Sequence, residues 1–525
     1  MNQTPVAALR LAELIAALSL ALDLGLGQPM EHGLRTCLLA VRLGTILGVS
    51  AENLADIYYL ALIQHLGCTA YADETAAIFG DDLAANAWLL RTDQGHPTEL
   101  VRALLQHVGA GESALRRTRR ILNALITLPR KAAEVAIGHC EVGQRLAERI
   151  GVGARVQAAL GQIYERWDGQ GMPHHLKGEA ILLPLRVVRI AQDAEICHRL
   201  DGTERTLRVL RQRAAGIYDP MLVERFCQYA DQLFEALDGV SLWEAVLAAE
   251  PGGRSYIPEA RLDDVLRAVA NFVDLKSPYT VGHSSGVATL AAAAARHCGL
   301  PEADVIIIRR AGWLHDLGRI GVANTIWDKP GPLSDAEWER VRLHPYYTER
   351  VLSRLKGLGP VGAIAPQHHE RLDGSGYHRG LPASMLPMTV RILAVADIYH
   401  ALTQPRSYRA AQPAGTAADE LRRQVRSGLL DDDAVRAVLT VAGHRQRATR
   451  RVWVAGLSDR EIEVLRLVAR GHSNRQMASL LGISERTIHH HIEHIYDKID
   501  VSTRAGATLF AMQHNLLTDL DDAPK

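Results

Sequence analysis

Seven side chains able to bind a divalent cation lie between residues 283 and 397: His283, the pair His315-Asp316, His344, the pair His368-His369, and Asp397. Imidazole and carboxylate are ligands for hard and borderline metal ions. Groups so far apart in sequence can share ions only if several elements converge on one interior point, each delivering one or two ligands. An Asp among several His suits a two-ion site, because one carboxylate can bridge both ions while imidazoles fill the outer positions. Two ions a few ångströms apart can hold a hydroxide and take up the negative charge that develops as a phosphoester is cleaved. The set predicts a metal-dependent phosphohydrolase. A lone histidine such as His32 or His297 reads instead as a surface or hydrogen-bonded core residue.

The converging elements are predicted to be helices. Leu and Ala recur at helical spacing through Leu9–Leu26, Leu262–Leu275 and Val287–His297, while strand-like alternation is scarce. The fold class is all-α. Breakers at Pro251-Gly252-Gly253 mark a boundary, and those at Lys329-Pro330-Gly331-Pro332 and Asp373-Gly374-Ser375-Gly376 mark loops inside a domain. A chain of 525 residues, 47% hydrophobic, can build several cores. Its formal net charge is zero, so any binding to nucleic acid must come from a local surface. Six scattered cysteines without a C-x-x-C pair fit reduced thiols. The apolar stretch Val6–Leu26, broken by Arg10, Glu13 and Asp23, reads as an amphipathic helix and not a signal peptide or membrane span. A cytoplasmic protein with no membrane partner is expected.

The chain also repeats itself. Arg166-Trp167-Asp168-Gly169-Gln170-Gly171 matches Arg371-Leu372-Asp373-Gly374-Ser375-Gly376. His139 precedes Asp168 by the interval that separates His344 from Asp373, and His32 precedes His65 as His283 precedes Asp316. Asp193, allowing a short gap, takes the place of Asp397. The ligands have gone: His315-Asp316 becomes Gln64-His65, and His368-His369 becomes Ile163-Tyr164. An insertion between about Asp73 and Ile137 separates the halves of this first copy. It reads as degenerate and metal-free.

Tyr279-Thr280-Val281-Gly282-His283, His315-Asp316-Leu317-Gly318-Arg319, His344-Pro345, the run His368 to Tyr377, and Ala396-Asp397 together resemble the HD-GYP family, over roughly residues 258–430. The resemblance implies an all-α HD-type phosphohydrolase that hydrolyses cyclic dinucleotides, cyclic di-GMP above all, at a centre of Fe or Mn. It implies that His283, His315, Asp316 and Asp397 hold one ion, and that Asp316 bridges to a second held by His344, His368 and His369. It further implies catalytic roles for Asp316 and Arg319, and a substrate loop of Asp373, Gly374, Gly376 and Tyr377. Three positions depart from the family pattern. Tyr279 replaces the Glu of three-metal members, which favours two divalent ions. Arg319 replaces a phosphate-binding Lys, keeping its charge but not its shape. His378 replaces the proline of the Gly-Tyr-Pro loop.

The C-terminal region carries a second signal. Ser458 and Glu461 form a capping box, Gly482 sets a tight turn, and Ser484 caps a helix with a stripe of Ile488, Ile492, Ile495 and Ile499. This region resembles the LuxR/FixJ-type four-helix helix-turn-helix. The resemblance implies binding to double-stranded DNA, with Ser484, Arg486, Thr487, His489, His490, His491, Lys498 and Arg504 as contact candidates, and a homodimer. The expected order is a degenerate HD-type repeat (1–200), a helical connector (201–254), the HD-GYP-type domain (255–444), a basic linker (445–455) and the helix-turn-helix (456–520). Together these describe a DNA-binding transcriptional regulator that hydrolyses a cyclic dinucleotide through a two-metal hydroxide. The alternative is a one-component transcription factor whose metal site binds a nucleotide signal without turnover.

Overall fold

The computed structural model describes residues 9–235, 237, 241–443 and 453–517. Among these there is no β-strand, only isolated bridges, as the all-α reading requires. No described helix is long and apolar enough to cross a membrane. The six cysteines are free thiols. The chain divides into two compact units, residues 1–261 with 354–357, and residues 262–353 with 358–525. The basic stretch Arg445, Arg447, Arg450 and Arg451, read as a linker, lies outside the described residues.

The first unit is built on α1 (Leu11–Gly25), α2 (His32–Ile46) and α3 (Ala51–Ile63). Helix α1 is not amphipathic, as its charges suggested. It is buried on nearly every face from Leu11 to Asp23. Arg10, just before it, pairs with Glu250, and Asp23 accepts the Gly33 amide at 2.9 Å. The long helix α4 (Ala114–Ile150) and α5 (Leu183–Arg213) complete the frame, α5 breaking at Gly202 next to the expected domain edge. Three short helices between Ala72 and His107 join the first half of α4 around their own core of Phe79, Trp88, Leu104 and Ala124. This is the insertion.

The second unit repeats that frame with α6 (Glu259–Asp274), α7 (His283–His297), α8 (Glu302–Leu314), α9 (Asp335–Leu352) and α10 (Met388–Thr403), closed by α11 (Ala414–Arg426) and α12 (Asp432–Ala442). Alanines at 288, 291, 292, 294 and 295 are buried along α7, so small side chains let α8, α10 and α12 all pack against it. The two copies share details that only a common backbone explains. A Cβ on Gly318 would fall 2.0 Å from the His344 carbonyl oxygen, and one on Gly67 would fall 1.9 Å from that of His139. Only glycine permits either approach. Glu370 accepts the amides of Arg379 and Leu381 at 2.9 and 2.8 Å; Glu165 accepts those of His174 and Leu176 at 2.7 and 2.9 Å.

Within the second unit, residues 453–517 form α13 (Asp459–Ala469), α14 (Asn474–Leu481), α15 (Glu485–Ile499) and α16 (Arg504–Gln513). The Ser458–Glu461 capping box is present, and a second one, Ser473 with Gln476, opens α14. Ser484 accepts the Thr487 amide at 3.1 Å. Ile488, Ile495 and Ile499 are buried as the stripe predicts, while Ile492 is only half-buried.

Candidate metal centre

All seven predicted ligands meet at one point, delivered by four helices and the turns that follow them. His283 is the first residue of α7, His315-Asp316 ends α8, His344 lies on α9, His368-His369 follow a short 3-10 turn, and Asp397 lies on α10. Ligand atoms of His283, His315 and Asp397 lie within 4.8 Å of one another, as do those of His344, His368 and His369. Asp316 stands between these groups with its oxygens divided. Oδ1 is 3.4 Å from His344 Nε2 and 3.6 Å from His368 Nε2, whereas Oδ2 is 3.5 Å from His315 Nε2 and 3.8 Å from His283 Nε2. One carboxylate thus faces both groups.

The donor set fits metal ions better than it fits a hydrogen-bond network. His315 Nε2 is buried with no hydrogen-bond partner, although it faces two carboxylates. Burial lowers His283 to about 4 and His344 to about 3, so these rings are neutral and present lone pairs. His315 is the exception: burial opposes its charge, but Asp316 and Asp397 outweigh burial and raise it to about 9. Burial would also raise Asp316, yet His315 and Arg319 hold it well below its ordinary value; His283 and His315 do the same for Asp397. Both carboxylates are therefore anionic and available to cations.

The surrounding groups explain two of the departures seen in sequence. Arg319 lies over Trp327, 3.7 Å from the ring centroid, with Nη1 3.3 Å from Asp316 Oδ2. A flat guanidinium suits that stack, as a lysine ammonium does not. His378 compensates for the missing proline by bonding Glu349 on α9 at 2.6 Å, and Arg379 pairs with the same carboxylate. Asp373 folds back on the Ser375 amide and hydroxyl, at 3.0 and 2.7 Å. Gly374 and Gly376 carry the loop on to Tyr377, whose ring lies 4.7 Å from that of His369.

Sequence reasoning missed Arg406 and gave His400 only a surface or lining role. Arg406 donates to the Tyr279 carbonyl, and burial together with the charge of Arg319 lowers its guanidinium to about 10. Two like charges are thus held near one anionic cluster. The run Arg406-Ser407-Tyr408-Arg409 was the available signal, but no ligand spacing points to it. His400 sits one turn after Asp397 on α10, against His283.

The first copy arranges the corresponding positions differently. Glu195, not Asp193, stands where Asp397 stands, for it pairs with His32 as Asp397 pairs with His283. Arg35 and Arg199 bond the other oxygen of Glu195 at 3.2 and 3.1 Å. Asp193 turns away and accepts the Tyr218 hydroxyl at 2.6 Å. His65 meets Gln192 at 2.7 Å, and His139 bonds Tyr164. Protein cations and hydrogen bonds occupy the positions that face the carboxylates of the second copy.

On α15, Arg486, Thr487, His489, His490 and His494 are exposed and His491 is half-buried. Ser484 and Thr487 share a hydroxyl contact of 2.8 Å at the helix start. Lys498 is exposed as well, with Nζ 2.7 Å from Glu461 and 3.2 Å from the Gly456 carbonyl. Arg504 opens α16, half-buried near His472.

A family model of the HD domain matches residues 267–434, and one for bacterial regulatory proteins of the luxR family matches residues 455–511. The chain is 33% identical to the 3'3'-cGAMP-specific phosphodiesterase 3 of Vibrio cholerae over 407 residues, which is 77% of this chain and 88% of that protein. It is 36% identical over 183 residues to a cyclic di-GMP phosphodiesterase response regulator of Xanthomonas campestris, covering 34% of this chain and 48% of the relative. The crystal structure of the cyclic GMP-AMP specific phosphodiesterase V-cGAP3 of V. cholerae aligns with a TM-score of 0.59 at 28% identity, over 84% of this chain and 99% of that one. The V. cholerae alignment is longer than the HD-domain match, so the likeness takes in the first unit as well.

Proposed function

This chain belongs to the HD-GYP family of HD-domain phosphodiesterases and carries a luxR-type regulatory domain, and from that premise we infer that it hydrolyses a cyclic dinucleotide and binds DNA. The observation that carries the reading is the divided carboxylate of Asp316, turned to His283, His315 and Asp397 through one oxygen and to His344 and His368 through the other. That arrangement supports two ions, Fe or Mn, with His369 completing the second group. When bound, the ions supply an activated water and positive charge for the scissile phosphate.

The chain's own residues do the rest. Arg319, stacked on Trp327, and Arg406, held by the Tyr279 carbonyl, direct two cations toward the non-bridging phosphate oxygens, where charge grows as the bond breaks. The loop of Asp373, Gly374, Gly376 and Tyr377, fixed to α9 through His378 and Glu349, borders the second triad and positions the nucleotide. Residues 255–444 would form the hydrolase domain. Residues 456–520 would form a DNA-binding head that reads paired half-sites as a homodimer through Arg486, Thr487 and the histidines of α15. The protein would work in the cytoplasm. A receptor that binds nucleotide without turnover is not favoured, because no predicted ligand is displaced and the relatives are phosphodiesterases.

Among substrates, 3'3'-cGAMP ranks ahead of cyclic di-GMP, since a relative that aligns with 77% of this chain is specific for it. Comparing kcat/KM for 3'3'-cGAMP, cyclic di-GMP and cyclic di-AMP on metal-loaded full-length protein tests this. The expected result is linear product from a guanine-containing substrate, fastest with 3'3'-cGAMP. Binding of all three without product would overturn the reading. Arg319→Ala should lower kcat/KM by about 10²-fold, the scale of one preorganised charge stabiliser, with metal content unchanged.

A further inference from the structure

Three of the five histidines in the centre are oriented in the same way. His315, His344 and His368 each direct Nδ1 at the backbone carbonyl three residues earlier, Gly312, Val341 and Ala365. A hydrogen on Nδ1 leaves the Nε2 lone pair for the metal, so each local turn selects the binding tautomer.

His283 cannot use this device. It is the first residue of α7, and the carbonyl three residues earlier, on Thr280, accepts the His283 backbone amide at 2.9 Å. Its Nδ1 instead meets Nδ1 of His400 at 3.0 Å, while its Nε2 faces Asp397 at 3.1 Å and Asp316 at 3.8 Å. With a metal on Nε2, the hydrogen of a neutral His283 ring must sit on Nδ1, and His400 Nδ1 is then its acceptor. The backbone makes room for this contact. A Cβ on Gly286, one turn into α7, would fall 1.9 Å from Nε2 and 2.5 Å from Cδ2 of His400.

We propose that His400 is a positioning residue for the metal centre, accepting the Nδ1 hydrogen of His283 and thereby fixing the tautomer and aim of that ligand, with Gly286 reserving the space for its ring. An imidazole acceptor gives His283 less added basicity than a carboxylate would. The inference rests on the two-ion reading above.

The test is a Mn²⁺ titration of full-length protein against a competing chelator, for the wild type and four variants. Substitutions at 400 place different atoms where Nδ1 now stands. His400→Leu puts a carbon there, His400→Asn an amide oxygen, and His400→Asp a carboxylate. His400→Leu is expected to weaken one of the two ions by about 10–100-fold and leave the other unchanged. His400→Asn should restore wild-type affinity and His400→Asp should tighten it. Gly286→Ala, which must push the ring away, should reproduce the His400→Leu loss. If the wild type takes up fewer than two ions, the two-ion reading itself fails. If it takes up two and His400→Leu matches it, or Asn and Leu are equally weak, the positioning role is refuted.

Discussion

Asp316→Ala is expected to abolish metal uptake and to cut cyclic-dinucleotide turnover by at least ~10³-fold, beyond the ~10²–10³ typical of losing one electrostatic stabiliser. The size of the effect follows from geometry. Each oxygen of Asp316 faces a different group of imidazoles, so in a two-ion centre one substitution would remove a ligand from both ions. It also removes the anion that offsets neighbouring cations, including Arg319, whose Nη1 rests 3.3 Å from Oδ2. Removing His344 or His283 alone takes one ligand from one ion and should cost less. A steady-state assay with element analysis checks this, and unchanged helical circular dichroism separates loss of the centre from loss of the fold.

The second large effect falls in the first unit and is one of stability. Glu195→Gln should destabilise that unit by about 3–5 kcal/mol, the range for breaking a buried ion pair from one side. The carboxylate is fully buried and is shared by His32, Arg35 and Arg199, so the amide leaves two half-buried guanidiniums without their anion. Hydrogen exchange should show protection lost at α2 and α5, while metal content stays at the wild-type level. The pH dependence has a definite sign. Burial pushes Glu195 up, but His32 and the arginines hold it below its ordinary 4.5. A depressed folded-state value means that the pair stabilises the unit above about pH 4.5 and that this contribution fades as pH falls through the folded value.

The convergence of the seven candidate ligands was readable because His and Asp in adjacent pairs stand out from an Ala- and Leu-rich helical background, and the helix-turn-helix because its capping residues sit at fixed offsets. The placing of Asp316 between the two groups needed only that the four helices converge. What sequence could not show was orientation. Asp193 and Glu195 differ by two positions, which on a helix is about 200°, so one faces Tyr218 and the other His32. Matching the repeats by residue type chose the wrong one. Helix α1 looked amphipathic because Arg10 finds its partner, Glu250, only in the folded chain. His400 and Arg406 carry no spacing signature; they matter because α10 and the turn after it return to the start of α7. The ion pair of Lys498 with Glu461 likewise carries no mark in the helix-turn-helix pattern.

The most direct measurement is the number of metal ions per chain after anaerobic loading with Fe or Mn, for the wild type and for Asp316→Ala. Two ions falling to nearly none is the predicted result, since one carboxylate faces both groups, and Glu195 of the first copy is already paired with His32, Arg35 and Arg199. One ion surviving in Asp316→Ala would mean that Asp316 does not bridge. Four in the wild type would show that the degenerate copy still binds metal.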